Sequence, residues 1–291
     1  MRILIIGGSG LVGGNCLRYF QQHTDWTAEG THLNFETAET HFLDTHQPDH
    51  PDNFDIAAFN PDVILHCGAL TWVDHCEENP EKSHRYTVGS AEQVIQWCKT
   101  MNAKMVYVST DYVFDGKNGP YLEDEPVNPL SVYGRHKLEA EQKVLAEIPD
   151  SLVLRITNVF GDEARGKNFV ARLIKNGVDG ESQHLKLPLD QYATPVNAWD
   201  LGRALFLLLR DGKKGIYHLA STDLVNRVQL ARRVLSRFPN NEISLEPIFT
   251  ADLKQAADRP LNGGLLTVKF NNEYPEFQFS NIDDYLNKQG L

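Results

Sequence analysis

Arg2-Ile3-Leu4-Ile5-Ile6-Gly7-Gly8-Ser9-Gly10-Leu11-Val12-Gly13 begins as a short apolar run rich in β-branched residues and is ended by glycines. It passes into Leu11 to Gln22, where apolar residues recur with a helical period. The order is strand, turn, helix. Gly7, Gly10 and Gly13 follow the spacing G-x-x-G-x-x-G. One glycine permits the tight turn, another lets backbone approach a pyrophosphate, and Gly13 allows close helix packing, while the helix N-terminus supplies donors and positive potential. Gly7, Ser9, Gly10, Leu11, Val12 and Gly13 are therefore expected to contact a cofactor. A glycine-rich turn without a ligand is the plain alternative, and the position at the first strand–helix junction weighs against it.

The alternation continues. Strands are expected over Trp26 to Thr31, His41 to Leu43, Val63 to Cys67, Lys104 to Ser109 and Leu152 to Ile156, and helices over Ser83 to Thr100 and Pro129 to Ala146. Asn128 reads as the N-cap of the latter helix and Pro129 as its first residue. This pattern implies an α/β fold of the Rossmann type, a doubly wound, mostly parallel sheet with helices on both faces. A length of 291 residues suits one large domain or one with a smaller lobe, and no internal repeat or flexible linker interrupts the chain.

Composition excludes other classes. A net charge of -11 argues against a nucleic-acid or anionic-membrane partner, leaving a small molecule. No apolar run approaches the roughly 18 to 20 residues that span a bilayer, and the N-terminus enters a strand without a cleavable signal pattern, so a cytoplasmic protein is expected. The four cysteines, Cys16, Cys67, Cys76 and Cys98, form no C-x-x-C pair and read as packed thiols, so no structural metal is expected.

Where an NAD-selecting site places an acid, at the tip of the second strand, the chain reads Gly30-Thr31-His32-Leu33-Asn34. An acid there would repel a 2'-phosphate. Its absence permits NADPH, with NADH also admitted, and makes Thr31 and His32 candidate cofactor contacts. Asp44 is placed to accept from an adenine amino group, and Cys67-Gly68-Ala69 to line the cofactor with backbone. A helix cap and a tight turn are the structural alternatives for these two sites. Further on, Tyr133-Gly134-Arg135-His136-Lys137 puts a phenol and an ammonium four residues apart, on one face of a helix. A neighbouring cation favours the ionised phenol, bringing its proton affinity towards that needed for carbonyl reduction.

Val108-Ser109-Thr110-Asp111-Tyr112-Val113-Phe114-Asp115-Gly116, followed by Pro120-Tyr121, Glu123, Asn128-Pro129-Leu130 and the Tyr133 to Lys137 run, resembles the extended short-chain dehydrogenase/reductase superfamily. More narrowly, it resembles the dTDP-4-dehydrorhamnose reductase family. Gly166-Lys167-Asn168-Phe169-Val170, Asp190-Gln191-Tyr192-Ala193-Thr194-Pro195, Gly215-Ile216-Tyr217-His218-Leu219 and Arg259-Pro260 look like landmarks of the same family. The resemblance implies a cofactor-binding core over 1–160, completed by segments near 196–220, and a substrate lobe from 161–195 and 221–291. It also implies reduction of a 4-keto nucleotide sugar, with dTDP-4-dehydro-L-rhamnose giving dTDP-L-rhamnose, and leaves room for a homodimer.

By the same resemblance, Thr110 hydrogen-bonds the substrate carbonyl, Tyr133 protonates its oxygen, and Lys137 binds the nicotinamide ribose and tunes Tyr133. Thr71, Asp74, Asp111, Tyr112, Asn158, Lys167 and Asn168 are the substrate-contact candidates, with local turn formation the alternative for the loop residues. Tyr112 stands where related dehydratases carry a glutamate, which favours a ketone reductase. Two positions depart from the family. Asn158 replaces a tryptophan and makes the sugar pocket more polar, while Thr87 replaces an asparagine and cannot present both a carbonyl and an amide. The regulatory beta subunit of methionine adenosyltransferase is similar in motif, so a non-catalytic cofactor-binding subunit is an alternative, as is a reductase or epimerase of another nucleotide sugar.

Overall fold

Arg2–Ile6 forms the first strand, β1, of the structure, a computed structural model that describes residues 1–291. Ile3, Leu4 and Ile5 are fully buried because helices cover both faces of the strand, which accounts for a continuous rather than alternating apolar run. The chain continues through α1 (Leu11–His23), β2 (Thr27–His32), β3 (Thr40–Phe42), α2 (Ile56–Phe59) and β4 (Val63–His66). Then α3 (Val73–Glu78) and α4 (Pro80–His84) lead, through a π turn at Arg85–Gly89, into α5 (Ser90–Met101). The series closes with β5 (Lys104–Thr110), α6 (Val132–Glu147) and β6 (Leu152–Ile156).

These strands fall within one residue of their expected bounds, but two helices differ. The helix expected over Ser83 to Thr100 is divided by the π turn, which contains Tyr86 and Thr87. Helix α6 starts at Val132 rather than Pro129, because Ser131 is the cap, its hydroxyl accepting from the Gly134 N–H at 3.2 Å. Asn128 is committed elsewhere. Its amide donates to Asp115 at 3.2 Å and its backbone N–H to the Val113 carbonyl at 2.9 Å, closing the loop that precedes the helix.

The remaining elements are α7 (Phe169–Asp179), β7 (Gln183–Pro188), β8 (Tyr192–Ala193), α8 (Ala198–Arg210), β9 (Gly215–His218), β10 (Val225–Asn226), α9 (Arg227–Leu235), β11 (Ile243–Ile248), α10 (Val268–Glu273) and α11 (Ile282–Lys288). Seven strands make one parallel sheet in the order β3-β2-β1-β4-β5-β6-β9, the doubly wound Rossmann arrangement. Leu17 and Phe20 of α1 pack with Leu201, Leu205 and Leu208 of α8 on one face. Val94 and Ile95 of α5, with Ala140 and Val144 of α6, cover the other. A separate core joins α7, α9 and α11 through Leu173, Val228 and Leu286, flanked by the small β7–β11 sheet.

The chain does not stay in that second body from 221 to 291, as the resemblance had implied. Phe270 is fully buried in the core of the large sheet, and Tyr274, Phe277 and Phe279 pack against it there. Lys269 donates to the Ile216 carbonyl at 2.8 Å, and the Tyr217 hydroxyl donates to Glu273 at 3.1 Å. These four aromatic side chains bury their apolar surface against the α8 side of the large sheet rather than in the small lobe.

Candidate active site

A cleft of ≈ 520 Å³ opens at the C-terminal ends of β4, β5 and β6, roofed by α7 and α9. Such ends at a reversal of strand order are where doubly wound sheets bind ligands, because the loops there diverge to opposite faces. Leu11 and Val12 reach the cleft from the glycine turn, and Cys67 and Ala69 from the end of β4. Thr110, Asp111, Tyr112, Tyr133 and Lys137 line its centre, with Thr71, Asn158, Lys167 and Asn168 around them.

The glycine turn is a close-packed cradle. Gly7 has φ +85, and its carbonyl accepts from the Gly10 N–H at 3.0 Å. A Cβ on Gly13 would lie 2.3 Å from the Gly7 oxygen, and one on Gly8 would lie 2.8 Å from the Gly30 Cα. No side chain caps α1, so its first N–H groups are left for an anionic ligand. These features fit a dinucleotide pyrophosphate.

Tyr133 and Lys137 share the inner face of α6. Gly134 between them lets the helix approach the loop after β5 so closely that a Cβ there would sit 2.3 Å from the Tyr112 carbonyl oxygen. The Tyr133 ring meets that of Tyr112 edge-on at 5.5 Å. Lys137 donates to the Val108 carbonyl at 2.6 Å and lies 4.0 Å from the centre of the Tyr107 ring. Burial pulls the Lys137 ammonium down to about 7, against a smaller opposing pull from Glu141. The expected lowering of the Tyr133 phenol is not found. Burial raises its proton affinity, Thr110 opposes the rise by hydrogen bonding, and Asp111 and Tyr112 add to it. Lys137 is not among the groups that act on the phenol, and its ammonium donates its hydrogen bond to a backbone carbonyl of β5.

Thr110 donates to Asp111 at 3.1 Å, long for a hydroxyl facing a carboxylate, and accepts from the Tyr112 N–H at 3.2 Å. Asp111 also accepts from the Thr157 hydroxyl at 2.8 Å. Burial pushes the Asp111 carboxyl up to about 6, while these two hydroxyls and the nearby Arg227 hold it back. Asn168 caps α7, its side chain accepting from the Ala171 N–H at 3.0 Å.

Gly7, Ser9, Gly10, Gly13 and Gly68 belong to the turns beside this cleft without lining it, and Thr31, His32, Asp44 and Asp74 do not line it either. Thr31 is buried at the end of β2 with no partner for its hydroxyl. His32 bonds Thr40 at 2.9 Å and faces a second hollow, of ≈ 640 Å³, shared with His41 and His50 at the sheet edge. Asp44 caps no helix and instead closes a turn, accepting from the His46 N–H at 2.8 Å and the Gln47 side-chain amide at 2.9 Å. Asp74, in the first turn of α3, pairs with Arg259 at 2.8 Å, pinning that helix start to the C-terminal segment. Sequence reading missed Thr157, Arg172 and Arg227, all of which line the cleft. The Asn226-Arg227-Val228-Gln229 capping box marks a helix start, a signal that locates Arg227 on the chain but not in the cleft.

The family model for the RmlD substrate binding domain matches residues 1–285. A dTDP-4-dehydrorhamnose reductase of Mycolicibacterium smegmatis is 30% identical over 267 residues, 89% of this chain and 76% of the relative. Methionine adenosyltransferase 2 subunit beta of Danio rerio is 28% identical over 275 residues, 91% of this chain and 82% of the relative. Among solved structures, a Bacillus anthracis dTDP-4-dehydrorhamnose reductase in complex with NADP superposes with a TM-score of 0.83 at 23% identity, covering 99% of this chain and 97% of that one.

Proposed function

The chain belongs to the RmlD substrate binding domain family, among the extended short-chain dehydrogenases/reductases, and on that premise we propose that it is an NADPH-dependent reductase of a 4-keto nucleotide sugar. NADH is admitted as an alternative cofactor, and dTDP-4-dehydro-L-rhamnose is the substrate the reading favours. The observation that carries it is the convergence of Thr110, Tyr133 and Lys137 on one cleft beside a glycine cradle that a Cβ would fill. The mycolicibacterial reductase and the NADP complex of the Bacillus enzyme support the same reading.

A bound reduced nicotinamide supplies the hydride. The chain's own part is orientation and proton delivery. Tyr133, kept protonated by burial, holds its proton for the carbonyl oxygen, so it serves as an acid rather than as a standing phenolate. Thr110 turns its hydroxyl from the long Asp111 contact towards the same oxygen, a second donor aimed at developing negative charge. Lys137, on the same face of α6 as Tyr133, would bind the ribose hydroxyls of that cofactor.

Incubation with dTDP-4-dehydro-L-rhamnose and either reduced cofactor, followed at the nicotinamide absorbance, tests this reading. No turnover with either cofactor would sink it. The likeness to methionine adenosyltransferase 2 subunit beta supports a second reading, a cofactor-binding regulatory subunit. Purification with a stoichiometric enzyme partner, together with inactivity on a ketosugar panel, would put that reading first. Product analysis separates simple reduction from epimerisation.

A further inference from the structure

Arg227 enters the cleft from the first turn of α9. Its guanidinium donates to the Asn158 side-chain oxygen at 2.7 Å and lies 5.1 Å from the centre of the Phe169 ring. Both partners are neutral. Asn158 has φ 42, a left-handed conformation that asparagine tolerates better than most residues, and this turns its amide towards the arginine. An aromatic residue at 158 would offer Arg227 no acceptor.

The charge around this arginine is not balanced by the protein. Asp111 is the single acid lining the cleft, and it already accepts from Thr110 and Thr157. Arg172 and Lys167 stand on the same side of the cleft, exposed and outside every ion pair of the molecule. With Lys137, four basic side chains line the cleft against one acid, in a chain of net charge -11, which makes the cleft locally positive where the protein as a whole is negative. A partly desolvated guanidinium held only by an amide and a ring keeps its charge and most of its donors for a ligand.

Resting on the reductase reading above, we propose that Arg227, set in place by Asn158 and Phe169, is a substrate-binding residue that holds an anionic group of the substrate. Arg172 and Lys167 extend the same subsite towards solvent. The group is an oxyanion, which a nucleotide diphosphate or a sugar carboxylate can supply. The position near Asp111 and Tyr112 puts the anion on the substrate's approach to Thr110 and Tyr133. Arg227 thus holds the substrate by its anionic group, without taking part in proton transfer.

Calorimetric titration in the presence of NADPH tests the assignment, with dTDP, UDP-glucose and UDP-glucuronate as probes. The proteins are the wild type, Arg227→Gln, Arg227→Lys and Asn158→Gly. Arg227→Gln should weaken at least one probe ten-fold or more, with Arg227→Lys retaining part of the affinity because it keeps the charge. A loss common to all three probes identifies the diphosphate as the anion, and a loss confined to UDP-glucuronate identifies the sugar carboxylate. Asn158→Gly, which removes the acceptor and suits the left-handed backbone at φ 42, should weaken the same probe at least three-fold, and it decides the matter should Arg227→Gln fail to fold. Wild-type binding matched within two-fold by every variant overturns the proposal while leaving the reductase reading intact. A wild type that binds NADPH but none of the probes overturns both.

Discussion

Lys137 and Val108 are joined by a 2.6 Å hydrogen bond from the side-chain ammonium to the backbone carbonyl, which ties α6 to β5 directly beneath the cleft. A single carbonyl and the face of Tyr107 compensate a buried cation only in part, and its proton affinity falls to about 7 from the ordinary 10.5.

That shift has a signed consequence for stability. Between about 7 and 10.5 the unfolded chain holds the Lys137 proton and the folded chain does not, so this group makes stability rise with pH across that window. Below about 7 its full cost is present. Lys137→Met should therefore raise the melting temperature at pH 6.5 by several degrees, with the gain shrinking towards pH 10. A gain equal at both ends would show that packing, not charge, is responsible.

Tyr133→Phe keeps the buried ring and removes only the acid. Turnover should fall by roughly 100- to 10,000-fold, with NADPH affinity and melting temperature little changed. Steady-state rates and calorimetry check this. Near-normal turnover would move the proton's source to Asp111, Tyr112 or a bound water.

Gly13→Ala brings a methyl to 2.3 Å from the Gly7 oxygen, so the cradle must open. Loss of NADPH binding by at least ten-fold and a lower melting temperature are expected. Gly89→Ala is the matched control, since its Cβ would meet nothing within 4 Å. Equal behaviour of the two variants would remove the cradle from the account of cofactor binding.

Cofactor choice follows from the tip of β2, where Thr31 and His32 occupy the place of an acid. NADPH should bind at least as tightly as NADH, and a ten-fold advantage for NADH, about 1.4 kcal/mol, would contradict this. His32→Ala should weaken NADPH more than NADH only if the ring leaves Thr40 for the phosphate. Equal losses would assign His32 to packing at the sheet edge.

The sheet was legible because a buried parallel strand must be continuously apolar, and Arg2 to Ile6, Val63 to His66 and Leu152 to Ile156 have no other use for such runs. The start of α6 was not, because whether Asn128 or Ser131 caps it depends on Asp115, whose contact with Asn128 no local pattern reveals. Helical spacing correctly put Tyr133 and Lys137 on one face, yet spacing says nothing of where an ammonium finds its acceptor, and that acceptor lies on β5. Arg227 was invisible for a similar reason. It approaches Asn158 across 69 positions of sequence, and only the folded lobe brings the two together.

The return of Phe270 to Phe279 onto the large sheet bears on how the chain is made. Synthesis runs from the N-terminus, and six of the sheet's seven strands are complete by Ile156. The edge strand β9 and the aromatic plug that covers it arrive only with the last segments of the chain. Until then a partly assembled sheet exposes the outer face of α8 and the open edge of β6, surfaces that invite association with other nascent chains. Fragments ending near residue 160 or 220 should accordingly be recovered as aggregates rather than as free-standing cofactor-binding domains.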